Sequence, residues 1–220
     1  KVGALLGDQT GVRTLPMYEV DADDARIRVR VGSKRTDQAH ICLAVNGPSA
    51  EASDRYIVDM MNTVLGEGMT SRLFMEIRER RGLAYDVHSS AINYRGCGAI
   101  VIGCGVDNAK ADATIEALVV EVDKIQQGVA EQEVSRAVEY AVGRLQLRME
   151  DSRAVMAWFG GQELLRDEVR TPDQVVADLR HINDLQIVEA ARRYFGPRSF
   201  RLSVVGPFRS WRRFERLLVA

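Results

Sequence analysis

Gly68 to Ser89 reads GMTSRLFMEIRERRGLAYDVHS, and this stretch of 22 residues is the most informative part of the chain. Gly68 predicts a turn, and Thr70 or Ser71 is placed to cap a helix by accepting backbone N–H groups. Three apolar residues carry helical spacing beyond the turn: Leu73, Phe74 and Ile77. Gly82 is expected to end this helix, because glycine readily adopts the left-handed conformation found at helix ends.

A charged ladder and a strand complete the pattern. The charged residues Arg72, Glu76 and Arg80 are four apart, which predicts ion pairs along one face of the helix. After the glycine, apolar and polar residues alternate as in a strand, with Leu83, Tyr85 and Val87 on one face. A turn, a helix and a strand therefore follow each other closely.

Arg78 and Tyr85 stand on either side of the helix end. A helix end and the start of the next strand are close in space, so the two side chains are expected to converge. Arginine offers a fork of N–H donors and tyrosine a phenolic hydroxyl, groups that suit peptide carbonyls and developing oxyanions. Spacing alone favours a simpler interpretation, with Arg78 a surface charge and Tyr85 a half-buried strand residue.

The stretch Gly68–Ser89 resembles the C-terminal half of the insulinase/pitrilysin-type zinc metallopeptidases. These inverted zincins include mitochondrial processing peptidase and many small bacterial homologues. Four more segments look like that half in the same order: Ala39–Ser49, Asp54–Gly68, Gly161–Leu165 and Ser203–Phe208. The resemblance therefore covers most of the chain, from about Gln38 to Phe208.

The resemblance implies roles for two residues. In that family an arginine and a tyrosine, seven residues apart, bind the substrate backbone opposite the zinc site. The pair maps onto Arg78 and Tyr85. By this resemblance Arg78 anchors the bound peptide, and Tyr85 assists catalysis by stabilising the tetrahedral intermediate.

The zinc motif of the family is missing from this chain. That motif is H-x-x-E-H with a further glutamate ligand downstream, whereas the histidines here are His40, His88 and His181, none in such a pattern. We therefore assign no metal ligand to this chain. The resemblance implies that Zn²⁺ and the general base lie in an N-terminal half, fused or separate, that carries the motif. The alternative is a catalytically silent family member that acts as a partner subunit or scaffold.

The amino-acid composition limits the classes of protein to which this chain can belong. Apolar residues make up 46% and charged residues 28% of the sequence, which are globular values. The net charge of −1 gives no argument for nucleic acid. No apolar run approaches the length of a membrane span, and no signal peptide is visible, so we expect a cytoplasmic protein. A peptide substrate and the motif-bearing half are the expected partners, and a homodimer is possible through an exposed face.

The cysteines and remaining histidines carry no clear site. Cys42, Cys97 and Cys104 are odd in number and form no C-x-x-C pair, so a disulfide framework is not expected. His40 and Cys42 share one strand face and are metal ligands in principle. We favour a core or interface role for both.

The rest of the chain divides into three parts. Residues 1–24 read as a linker from a missing N-terminal half, 25–208 as the peptidase-family domain, and 209–220 as a basic amphipathic tail that docks on protein. Alternation predicts an edge strand over Arg26–Val31, and a continuous apolar run predicts a buried strand over Ala99–Gly105. Gly103–Asn108 lacks the third glycine of a phosphate loop and is interpreted as a turn.

The second half of the chain is predicted to be mainly helical. Helices are expected over Ala109–Gln127, Glu131–Glu150, Arg153–Arg166 and Asp184–Phe195, with a capping box at Thr171–Gln174. Trp158 and Phe159 are expected in the core. The fold class is therefore α+β, a largely antiparallel sheet covered by helices, with a helical second lobe.

Overall fold

A computed structural model describes residues 28–166, 168–196 and 199–218 together with Gly7, so nearly all of the expected linker 1–24 lies outside the described residues. Its centre is a five-stranded sheet with the strand order β1-β5-β2-β4-β3. The strands are β1 (Val29–Ser33), β2 (Gln38–Gly47), β3 (Ala84–Asn93), β4 (Gly98–Asp107) and β5 (Arg201–Gly206). Every pairing is antiparallel except that of β1 with β5.

Helices cover one face of this sheet. They are α1 (Arg55–Gly66), a π-helix (Phe74–Arg80), α2 (Ala111–Gln127), α3 (Glu131–Arg148), α4 (Ser152–Leu165), α5 (Pro172–Leu179), α6 (Asp184–Tyr194) and α7 (Arg212–Glu215). Short 3₁₀ turns follow at Asn108–Lys110 and Arg216–Leu218. The expected α+β class is confirmed, with α3, α4 and α5 as the helical lobe. No helix in the described part of the chain is both long and apolar enough to cross a membrane.

Alternation along the strands places the core on one face of the sheet. In β2, Ile41 and Leu43 are fully buried while His40 and Cys42 are exposed. Helices α1, α2 and α6 pack over the buried face. The most buried helix residues there are Met61, Leu65, Ile115, Leu118 and Ile187. Burying this many apolar side chains supplies the main favourable term in folding.

The other face of the sheet stays open, which corrects two expectations. The run Ala99–Gly105 buries only alternate residues, because helices cover one face of β4 and not the other. Gly103 lies inside β4 rather than in a turn. A Cβ atom at Gly103 would lie 3.3 Å from Nε2 of His88, so the imidazole packs over the missing side chain.

Edges and ends of the sheet follow the sequence closely. β1 is an edge strand, with Val29 buried and Arg30 exposed, as the alternation predicted. Arg26 and Ile27 of the predicted strand lie outside the described residues. Thr171 accepts a hydrogen bond from the Gln174 N–H, which confirms the predicted capping box. In the tail, Phe214 is fully buried and meets Phe208 edge to face at 5.1 Å.

Helix α4 departs from the predicted burial. Trp158 is half-buried, but Phe159 is 37% exposed and is not a core residue, contrary to expectation. Met156 is 66% and Leu164 81% exposed. Trp158 Nε1 and Gln162 Nε2 both donate to the Arg170 carbonyl, at 2.9 and 3.1 Å. These bonds fix which side of α4 packs against the rest of the protein. The opposite, apolar side faces solvent.

A close contact joins α1 to the edge strand β3. Asn62 Nδ2 donates to the Ser89 carbonyl at 3.4 Å, and the Ser89 hydroxyl donates to the Asn62 carbonyl at 3.2 Å. Gly66 allows this approach, since a Cβ atom there would lie 2.5 Å from Ser89 Oγ and 2.8 Å from Ser89 N. The strand and the helix therefore meet backbone to backbone at one glycine.

Gly66→Ala is expected to lower the free energy of unfolding by about 2 kcal/mol, because the added methyl forces α1 away from β3. Gly143→Ala is the matched control, since Gly143 lies inside α3 with nothing near its missing Cβ. There alanine should raise stability by about 0.5–1 kcal/mol through its better helix propensity. Urea unfolding of both variants measures this, and equal stabilities would contradict the proposed contact.

Candidate functional site

The turn before the helix is closed by a side chain. Gly68 adopts φ of +90°, a conformation that favours glycine. The Ser71 hydroxyl donates to the Gly68 carbonyl at 2.7 Å and Ser71 is buried. The serine therefore stabilises the turn from within. The sequence predicted that Thr70 or Ser71 accepts a backbone N–H as a helix cap, whereas the Ser71 hydroxyl donates to a carbonyl.

The helix winds as a π-helix rather than the expected α-helix. The Arg81 N–H donates to the Glu76 carbonyl, five residues back, at 3.1 Å. The Leu83 N–H reaches the Ile77 carbonyl at 2.8 Å across Gly82, whose φ is +56°. Gly82 therefore ends the helix as predicted, with one extra residue in the turn. Such π turns are rare in proteins as a whole, but those that occur are often found at functional sites.

The wider turn also changes the charged ladder. Glu76 accepts hydrogen bonds from Arg81 at 2.8 Å and from Arg80 at 3.2 Å, and these hold the pKa of its carboxyl below the ordinary value. Arg72 does not join the ladder. It forms a two-pronged ion pair with Glu133 on α3, at 2.8 and 2.7 Å. The start of the helix is therefore tied to the helical lobe.

Tyr85 is the extra residue of a β-bulge. The register of β3 against β4 shifts by one residue between Ala84 and Asp86, so Tyr85 has no partner across the ladder. The predicted alternation, with Tyr85 and Val87 on one face, is wrong at this point. Val87 is buried, whereas Tyr85 is 79% exposed. Bulges commonly re-aim a side chain in this way.

The two irregularities bring Arg78 and Tyr85 together. The Arg78 guanidinium carbon lies 4.7 Å from the centre of the Tyr85 ring and 4.8 Å from that of Phe74. Arg78 Nε is also 3.5 Å from a carboxylate oxygen of Glu79. Sequence reasoning missed Phe74 as a third member, although its position four residues before Arg78 was a usable signal.

This cluster presents hydrogen-bond donors to solvent. Within the described part of the chain, the Tyr85 hydroxyl makes no hydrogen bond. The Arg78 fork keeps its stacked orientation between two rings, an arrangement worth about 0.5–1 kcal/mol at exposed sites. Lys110 Nζ donates to the Gly82 carbonyl at 2.9 Å and holds the turn between them. The geometry suits carbonyl oxygens or an oxyanion.

The open face of the sheet next to this cluster carries the other polar candidates. His40 and Cys42 share that face as predicted, but neither is buried, so a core role is wrong. Burial by neighbours still raises the pKa of the Cys42 thiol, which favours the unreactive protonated form. His88 Nδ1 is 3.5 Å from the Asp86 carboxylate. His181 Nδ1 lies 2.6 Å from the Ala177 carbonyl, a local structural contact.

The side chains that could ligate a metal do not form a zinc site. Among the residues that the structure describes, no three histidine, cysteine, aspartate or glutamate side chains lie close enough to share a metal. The sequence also lacks the paired histidines of a zincin motif. No chemical step is therefore assigned to a metal within this chain.

Comparison with known proteins identifies the family of the chain. A family model described as the peptidase M16 inactive domain matches residues 6–140, more than half of the chain. An uncharacterized zinc protease of Streptomyces coelicolor is 33% identical over 183 residues, covering 83% of this chain and 40% of that protein. One from Bacillus subtilis is 30% identical over 175 residues, covering 79% of this chain and 42% of that protein.

Solved structures share the fold. A protease from Helicobacter pylori matches with a TM-score of 0.81 at 20% identity, over 91% of this chain and 48% of that one. The peptidase M16 inactive domain from Pseudomonas fluorescens matches with a TM-score of 0.76 at 19% identity, over 84% and 44%. The chain thus spans less than half the length of these relatives. It belongs to the peptidase M16 inactive-domain family, the C-terminal half that its sequence resembles.

Proposed function

We propose that this chain is the substrate-binding C-terminal half of a zinc-dependent endopeptidase. Zinc and the general base would come from an N-terminal half with the H-x-x-E-H motif. The observation that supports this most is the exposed stack of Arg78 on Tyr85, 4.7 Å apart, at the edge of an open sheet face. A scaffold has no need of two exposed donors held in one place by a π turn and a bulge.

Arg78 anchors the peptide in this proposal. Its guanidinium donates to backbone carbonyls that are already present before reaction. The rings of Phe74 and Tyr85 restrict its motion, so little rotamer entropy is lost on binding. Arg78 should therefore contribute to the ground state and the transition state alike.

Tyr85 assists the chemical step. Its hydroxyl donates to the oxygen that becomes negative as the scissile carbonyl turns tetrahedral. Such a bond is worth most in the transition state, since only there is the charge developed. The bulge exposes the hydroxyl, and the stacked guanidinium holds the ring in place.

Helix α4 offers a surface for the other half. The curated relatives are more than twice as long as the part this chain matches. Four exposed apolar side chains lie on α4 and the end of α3: Leu147, Met156, Phe159 and Leu164. Exposed apolar surface is typical of interaction sites where it forms a patch. We propose that the N-terminal half covers these side chains.

Tyr85→Phe should lower kcat with little change in KM in the complete two-half enzyme, because only the transition-state bond is lost. The expected loss in kcat is on the order of 100-fold. Arg78→Ala should instead raise KM, since it removes contacts made before reaction. Steady-state hydrolysis of a quenched peptide measures both constants.

Thermal melts serve as the control for these two variants. Both side chains lie at the surface, so neither variant should lose more than about 1 kcal/mol of stability. If both variants hydrolysed the peptide at nearly the wild-type rate, the remaining hypothesis would be a catalytically silent family member that acts as a partner subunit or scaffold. Stoichiometric zinc and chelator-sensitive hydrolysis by this chain alone would contradict the division between halves.

Phe159→Glu should weaken association with the separately produced N-terminal half by at least about tenfold, because a charge would be buried in an apolar contact. Leu185→Glu is the matched control, since Leu185 is a 68% exposed leucine on α6. Sedimentation at several concentrations measures the complex. Equal association of both variants would rule out α4 as the interface, and loss of self-association alone would assign the α4 surface to a homodimer.

A further inference from the structure

A groove of about 610 Å³ lies between α1 and α3. Residues of β3, Trp158 of α4 and Leu179 of α5 also line it. Its volume falls in the range of small-ligand sites. The groove shares no residue with the Arg78–Tyr85 cluster, so the inference below stands independently of the proposed function.

Two side chains of α1 that line this groove, Asp59 and Asn62, carry acceptor oxygens without a hydrogen-bond partner among the described residues. Asp59 makes no ion pair or side-chain hydrogen bond with any residue that the structure describes. Asn62 is only 4% exposed, and its Oδ1 is buried with no hydrogen-bond partner. Its Nδ2 points at the Ser89 carbonyl and a Glu67 carboxylate oxygen, at 3.4 and 3.5 Å, which fixes the amide orientation. Asp59 and Asn62 are three residues apart, on one side of the helix.

The surrounding charges leave Asp59 as the unpaired acid. Arg55 donates to the Ala50 carbonyl and the Tyr56 hydroxyl, at 2.7 and 2.9 Å, rather than to Asp59. Burial raises the pKa of the Asp59 carboxyl to about 6, and the more distant charges of Arg55 and Arg166 only partly oppose it.

The opposite wall adds no free acid. Glu67, also in the groove, is already ion-paired with Arg144 on α3. Arg148 stands exposed at the rim of the same wall. A ligand that enters therefore meets one half-buried carboxylate, Asp59, that has no counter-ion within the described part of the chain.

Aromatic rings line the same space. Tyr56, Tyr140 and Trp158 all contribute to the wall. Aromatic faces attract cations, tryptophan most strongly, and more so where water is excluded. Unpaired acceptors together with ring faces complement a group that is cationic and rich in N–H donors.

We infer that this groove binds an alkyl ammonium or guanidinium group, held by the Asp59 carboxylate and flanked by Trp158. The group would be either a free diamine or a lysine or arginine side chain of a peptide. The Asp59 charge would then gain its counter-ion and a hydrogen-bond donor.

Calorimetric titration at pH 7.5 with three probes tests this. They are cadaverine, acetyl-Ala-Lys-Ala-amide and, as the neutral control, acetyl-Ala-norleucine-Ala-amide. At least one cationic probe should bind, and the norleucine peptide at least tenfold more weakly than the lysine peptide if the latter binds. Asp59→Asn should weaken cation binding at least tenfold. Asp123→Asn, at an exposed carboxylate on α2, should leave it unchanged.

The affinity should also depend on pH in a defined direction. Ionised Asp59 binds the cation, so affinity should fall as the pH drops from 7.5 to 5 and the carboxyl takes up a proton. The same series on Asp59→Asn should be flat. Asp59→Asn should also melt a few degrees higher at pH 7.5, because an unpaired half-buried carboxylate is removed.

Each outcome decides the inference. Binding of cadaverine alone identifies a free cation as the ligand, and binding of the lysine peptide alone identifies a basic side chain. No binding of either, equal binding of the lysine and norleucine peptides, or unchanged binding by Asp59→Asn would overturn it. If Asp59→Asn fails to fold, the probe comparison and the pH series on the wild-type chain still decide.

Discussion

The close contact of α1 with β3 at Ser89 holds the edge strand of the sheet in place. Gly66 permits this close approach, because a Cβ atom at that position would lie only 2.8 Å from the backbone nitrogen of Ser89. β3 is the last strand of the sheet and is held by β4 on one side only. Helix α1 therefore fixes the strand that carries Tyr85 near its start and borders the groove in its middle. Loosening this contact would disturb both.

Two inserted residues, one on each side of Gly82, create the exposed cluster. The π turn adds a residue to the helix, and the bulge adds Tyr85 to β3. Without the bulge, Tyr85 would follow Val87 onto the covered face of the sheet. With it, the ring lies in solvent against the Arg78 guanidinium. Backbone irregularities of both kinds are enriched near functional sites, and here they act on the same pair.

Sequence reasoning succeeded where a short-range rule determines the structure and failed where packing does. Gly82 as a helix stop and the Thr171 cap depend on local backbone chemistry, and both were predicted. Fixed periods of 3.6 and 2 residues cannot anticipate an inserted residue, so the face of Tyr85 was wrong. Phe159 was placed in the core because it is aromatic, but burial depends on what covers α4. Asp59 gave no signal, since its missing partner is visible only in three dimensions.

Stability and function fall on different residues of the same segment. Leu73 and Ile77 are fully buried and anchor the π-helix, whereas the half-buried Arg78 and the exposed Tyr85 contribute donors that the core does not need. An exposed stack is worth little to folding, so folding alone gives no reason to hold these donors at the open face. Asp59 supports the same argument from the other side, because a half-buried carboxylate without a counter-ion lowers stability. The ligands proposed for the two sites give these groups the role that folding does not.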